Sequence, residues 1–130
     1  MVLAFASASA KTASWAIAPK YDTINRYFGN IYAVQSGNKW GLVKEGNVEI
    51  VPAEYDFITP FINGYALAGV KDGNRYLLKS IISDDGNAVF ITKTYYLPQN
   101  YQFVSDGKLA VSDVNGKYGY LDTSGNIIVI

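Results

Sequence analysis

Residues 36–43 read "SGNKWGLV", a turn signal followed at once by a tryptophan. Gly37-Asn38 accepts the positive φ that a tight hairpin corner needs. Lys39-Trp40-Gly41 then opens a run of strand-forming residues. On a strand, Asn38, Trp40 and Leu42 share one face, and Lys39, Gly41 and Val43 the other. That alternation predicts Trp40 and Leu42 on the buried face. Gly41 leaves room for a neighbouring aromatic or backbone to approach closely. A unique tryptophan here would suggest a ligand platform, a recurring one architecture.

The stretch recurs. "GNKWGLVKEGN" at 37–47 has a counterpart in "NGKYGYLDTSGN" at 115–126. Lys39 matches Lys117, Trp40 matches Tyr118 and Gly41 matches Gly119. A weaker copy, "GNRYLLKS" at 73–80, puts Tyr76 at the aromatic position and Leu77 at the glycine. Gly29, Gly64 and Gly107 each head a strand of small and apolar residues upstream of a copy. A second motif links the copies: "IAPKYDTI" at 17–24 resembles "IVPAEYDFI" at 50–58, aligning Tyr21 with Tyr55. "ITKTYYL" at 91–97 is a decayed third copy without the proline and the aspartate. The period, about 35 to 45 residues, is that of a repeat architecture. Recurring aromatics of this kind most often stack repeats into a core.

The rest of the chain agrees. Gly-Asn occurs six times, at 29, 37, 46, 73, 86 and 125, and Asn-Gly at 63 and 115. Between these corners lie short β-branched and aromatic runs such as "IYAVQ", "YALAGV", "AVFIT" and "NIIVI". No window carries a helical stripe with caps. The expected fold is all-β, with tandem antiparallel hairpin or meander repeats arranged as propeller-like blades or a β-solenoid. A three-fold β-trefoil-like barrel is the alternative. The units fall at about 17–49, 50–90 and 91–130 of one repeat domain, 11–130. Residues 1–10 end in Ala8-Ser9-Ala10 before Lys11, which predicts a signal-peptide remnant and export.

These motifs resemble the WG repeat, also called the KWG repeat. The residues carrying the resemblance are "GNKWGLVKEG", "IVPAEYD" and "NGKYGYLDTSG", and it covers roughly residues 16–130. Membership implies a bacterial, often exported, all-β tandem-repeat protein without established catalytic residues. The signature residues Trp40, Gly41, Tyr76, Tyr118, Gly119, Tyr21 and Tyr55 are then structural. The chain opens on the tail of one unit, "WAIAPKYD", and ends at "NIIVI", before the next Pro and Tyr-Asp. The copies therefore look offset, as in a slice of a longer array or a ring closed by strand exchange.

Composition narrows the function. Eleven basic and eleven acidic residues cancel, so no field draws nucleic acid or an acidic membrane surface. No apolar run is long enough to span a bilayer. The chain has no histidine and no cysteine, which excludes a Ser-His-Asp triad, thiolate chemistry and His- or Cys-ligated metals. "SDDGN" at 83–87 and "DVNG" at 113–116 lack calcium-loop spacing and read as turns. Asp22 and Asp56 sit at equivalent repeat positions, where an aspartate most simply accepts backbone N–H bonds. No phosphate loop or nucleophile elbow is present. No cofactor and no metal are expected.

Nineteen aromatics remain: eleven Tyr, six Phe and two Trp. Tyr95, Tyr96 and Tyr101 gather where the repeat decays, and tyrosines on loops make rigid amphipathic contacts. They are the candidate binding residues. The expected function is a non-catalytic, exported interaction module, secreted, periplasmic or on the cell surface. It would bind a protein or surface polysaccharide through rim loops, with self-association through open sheet edges. The alternative is a carboxylate-based carbohydrate-active hydrolase.

Overall fold

Gly-Asn corners set the hairpins of this chain. The structure, a computed structural model, describes residues 17, 19–98 and 106–129. Three two-residue loops, Gly29-Asn30, Gly37-Asn38 and Gly73-Asn74, join paired strands. In each, the glycine has positive φ (57°, 64° and 64°) and the asparagine does not. Positive φ at the first central residue alone is the type II′ pattern, which favours glycine first and matches strand twist. The order Gly-Asn therefore has a geometric cause.

The chain divides into two compact units, Met1–Glu54 and Tyr55–Ile130. The first holds a four-stranded antiparallel meander: β1 (Thr23–Phe28), β2 (Ile31–Ser36), β3 (Lys39–Lys44) and β4 (Val48–Tyr55), paired in chain order. β1 is exposed along most of its length, while β2 and β3 carry the core. Leu42 and Val43 are adjacent, so they point to opposite faces, and both are buried. Trp40 is half-buried, so the strand is covered on both faces instead of hiding one tryptophan-bearing face. Pro52 lies in β4, at the sheet edge, where its missing N–H breaks no ladder.

The second unit holds one sheet in the order β12-β11-β10-β9-β7-β6-β5, with β8 also on β7. Its strands are β5 (Phe57–Ile58), β6 (Tyr65–Asp72), β7 (Arg75–Ser83), β8 (Ala88–Phe90), β9 (Tyr96–Leu97), β10 (Leu109–Ser112), β11 (Tyr118–Leu121) and β12 (Ile127–Val129). Leu67, Leu78, Ile81, Ile91, Leu97, Leu109, Val111 and Leu121 form its buried cluster. β5 corresponds to β1 but spans two residues, because Pro60 interrupts it.

The all-β tandem-repeat expectation holds. The described strands form open antiparallel sheets with no closed barrel, so the trefoil-like alternative is set aside, and none of the described residues is helical. Residues 50–55 lie in β4 of the first sheet, and β5 to β12 form the second. No helix among the described residues is long and apolar enough to cross a membrane. The segment 1–10, and with it the signal-peptide expectation, lies outside the described residues, as does Tyr101.

Candidate functional site

In the decayed third copy, the partner strand of β7 is broken. β8 pairs with Ser80–Ile82 and β9 with Tyr76 and Leu77. At the join, the Ile91 N–H donates to the Lys79 carbonyl (2.8 Å) and the Leu78 N–H donates to the Tyr95 carbonyl (2.9 Å). Adjacent residues of β7 thus face residues four apart on the partner segment. Thr92, Lys93 and Thr94 are looped out as a bulge and are exposed. Such bulges re-aim side chains and open space beside a strand.

Two clefts open there. The first, about 290 Å³, is lined by the bulge residues Thr92 and Lys93, by Phe90, and by the β11–β12 turn through Ser124 and Asn126. The second, about 120 Å³, is lined by Val111, Asp113, Lys117, Tyr118 and Gly119. Tyr95 and Ile127 line both. Tyr95 is half-buried and packs on the core cluster, so its ring is held in place. Phe90 and Tyr118 are 53% and 67% exposed. Gly125 sits so close to Ile91 that a Cβ there would lie 2.6 Å from its Cδ1. Ile91 and Gly125 both line the first cleft.

The other sequence candidates occupy different roles. Tyr96 is buried, donates its hydroxyl to Asp72 Oδ2 at 2.7 Å, and lies under the Arg75 guanidinium, 3.7 Å from the ring centroid. The bond to Asp72, followed by burial, raises the Tyr96 phenol pKa. It is used within the fold. Tyr76 is half-buried, edge-on to Phe57 with centroids 5.3 Å apart. Tyr55 is buried, and Tyr21 is half-buried with Lys20 Nζ 5.4 Å from its ring. Gly41 is pressed against β4: a Cβ would lie 2.7 Å from Ala53 N and 2.8 Å from Val51 O. Tyr118 departs from its repeat equivalents, since Trp40 and Tyr76 are half-buried at the same position.

Four aspartates are tied to backbone. Asp22 Oδ2 accepts the Gly37 N–H (2.7 Å) and Asp56 Oδ2 the Lys71 N–H (2.8 Å). Asp113 Oδ1 accepts the Asn115 and Lys117 N–H groups, and Asp122 Oδ1 those of Ser124 and Asn126, all at 2.8–2.9 Å. The Ser83 hydroxyl, then the Asn87 groups, hold the Asp85 carboxyl below the usual carboxylate range. A general acid needs the opposite shift. Among the described residues, no group of three or more His, Cys, Asp or Glu side chains could hold a metal ion.

Sequence periodicity located the decayed copy but not the cleft. Lys93, Phe90, Asn126 and Ile127 were missed, because their proximity depends on how the bulge and the last turn meet. The WG containing repeat family profile matches residues 11–40 and 40–76 in tandem. No curated protein and no solved structure matches the chain.

Proposed function

Because the chain belongs to the WG containing repeat family, a tandem β-repeat family without a known enzymatic activity, we propose that it is a non-catalytic binding module acting through the Tyr95 groove. The observation carrying this reading is the fate of the third copy. Its signature tyrosine, Tyr118, is turned out to solvent and lines the second cleft, while bulge residues Thr92 and Lys93 line the first and Tyr95 lines both. Aromatic rings at a solvent-open groove supply contact area at low entropic cost. Asp22, Asp56, Asp113 and Asp122 are engaged with backbone N–H groups, and Asp72 with the Tyr96 hydroxyl.

Immobilised protein should retain purified cell-wall polysaccharide or a secreted-protein fraction without releasing product. Deleting Thr92–Thr94, or replacing Tyr118 with Ser, should abolish retention while the far-ultraviolet β-spectrum is kept. Undiminished retention by both variants would overturn the groove. Product release that disappears with one Asp→Asn change would restore the hydrolase alternative.

Export belongs to the same proposal, motivated by the Ala8-Ser9-Ala10 pattern. Expressed in a secreting bacterium, the chain should be recovered outside the cytoplasm with Lys11 at its N-terminus. Recovery in the cytoplasm with Met1 intact would count against it.

A further inference from the structure

The groove's lining has a definite chemistry. Phe90 and Tyr118 present exposed rings on either side of the Tyr95–Ile127 rib. The polar groups beside them are mixed donors and acceptors: the Thr92 and Ser124 hydroxyls, the Asn126 amide, the Lys93 and Lys117 ammonium groups, and Asp113. Among the described residues, the Tyr95 hydroxyl and both ammonium groups make no side-chain hydrogen bond or ion pair.

Charge decides against an anionic polymer. Two lysines and one aspartate give little net field, spread over two clefts. Size decides against a large apolar ligand, since the larger cleft is only at the lower end, roughly 300 Å³, of drug-sized pockets. Two small compartments in series, each with a ring to stack on and hydroxyl-scale partners, fit consecutive units of a chain molecule. That molecule would have apolar ring faces and many hydroxyls at its edges. A peptide would instead be drawn to a row of free backbone groups on a strand edge, whereas side chains of the bulge and two turns line most of these clefts.

We propose that the groove binds an uncharged oligosaccharide, with one sugar stacked near Phe90 in the first cleft and the next near Tyr118 in the second. This rests on the reading of the groove as the binding site. No bond is made or broken.

The full chain is tested for retention on insoluble neutral polysaccharides (a β-glucan and chitin), on an anionic polyuronate, and on an unfolded casein surface. Retention on a neutral polysaccharide is expected. Phe90→Ala and Tyr118→Ala should each weaken it about five- to tenfold, while Lys93→Ala/Lys117→Ala weakens it less than either ring change and added salt leaves it unchanged. Both aromatics are exposed, so these variants keep the fold, which unchanged thermal unfolding checks. Retention only on the polyuronate, lost with the lysines and with salt, overturns the uncharged ligand while leaving the groove as a binding site. Retention only on casein, lost with Tyr118→Ala, does the same. Retention on any surface that all three variants leave unchanged overturns both the ligand class and the groove.

Discussion

At Gly41 the repeat's glycine has a measurable reason. Alanine in a strand normally gains stability over glycine by restricting the unfolded chain. Here its Cβ would meet the backbone of Val51, Pro52 and Ala53 at 2.7–2.8 Å. Gly41→Ala should therefore destabilise by about 1–3 kcal/mol in denaturant unfolding; a neutral result would mean that β4 shifts freely. The neighbouring pair should invert the order expected from size. Leu42 is fully buried and Trp40 half-buried, so Leu42→Ala should cost about 2–5 kcal/mol and Trp40→Ala less. Tyr27 carries a pH signature. Burial pushes its phenol from 10.0 up to about 12. The unfolded chain ionises first, so Tyr27 leaves stability unchanged below pH 10.0 and lowers it as pH rises toward about 12. Tyr27→Phe should flatten that alkaline decline in urea midpoints measured across the window, and an unchanged slope would place the titration elsewhere.

Among the elements, the Tyr-Asp motif works as a register clamp. The Asp22 N–H donates to the Gln35 carbonyl (2.8 Å) while its carboxylate accepts the Gly37 N–H; Asp56 repeats this with Gly69 (2.9 Å) and Lys71. The two aspartates reach equivalent positions in their hairpins, so each holds the start of β1 or β5 against the end of β2 or β6. A one-residue slip would reverse every side chain of the strand. Asp56→Ala should cost about 1–2 kcal/mol and speed hydrogen exchange at the Lys71 amide, with Asp56→Asn milder. Lys71 exchange that stays slow in Asp56→Ala would rule the clamp out. This function was legible in part. Matching positions announced an aspartate that accepts backbone N–H bonds, but its partner fifteen residues on lay beyond any local turn rule.

For the molecule as a whole, edges are the exposed feature. Among the described residues, β12 pairs only with β11, and Ile127 and Ile128 are 42% and 41% exposed. Zero formal net charge offers little repulsion between copies. Unpaired apolar edges favour sheet-to-sheet pairing. Sedimentation should show weak, concentration-dependent association that Ile128→Lys suppresses; a monomer at all concentrations would remove edge pairing from the account.

The sequence by itself determined the all-β class, the repeat, the hairpin corners and the exclusion of histidine and cysteine chemistry. These follow from local rules: Gly-Asn selects a turn, alternation selects a strand, and self-similarity selects a repeated unit. Only the tertiary structure decided which equivalents stayed inside. Tyr76 and Tyr118 hold the same repeat position, yet one packs on the core and the other faces solvent, because burial depends on what lies across the sheet. Only the tertiary structure assigned residues 50–55 to the first sheet, since strand pairing is settled by hydrogen-bond partners and not by sequence period. And only there does "ITKTYYL" become a groove. A strand with three residues too many must expel them, and the space they leave is shaped by the turn at Gly125, thirty or more positions away in the chain.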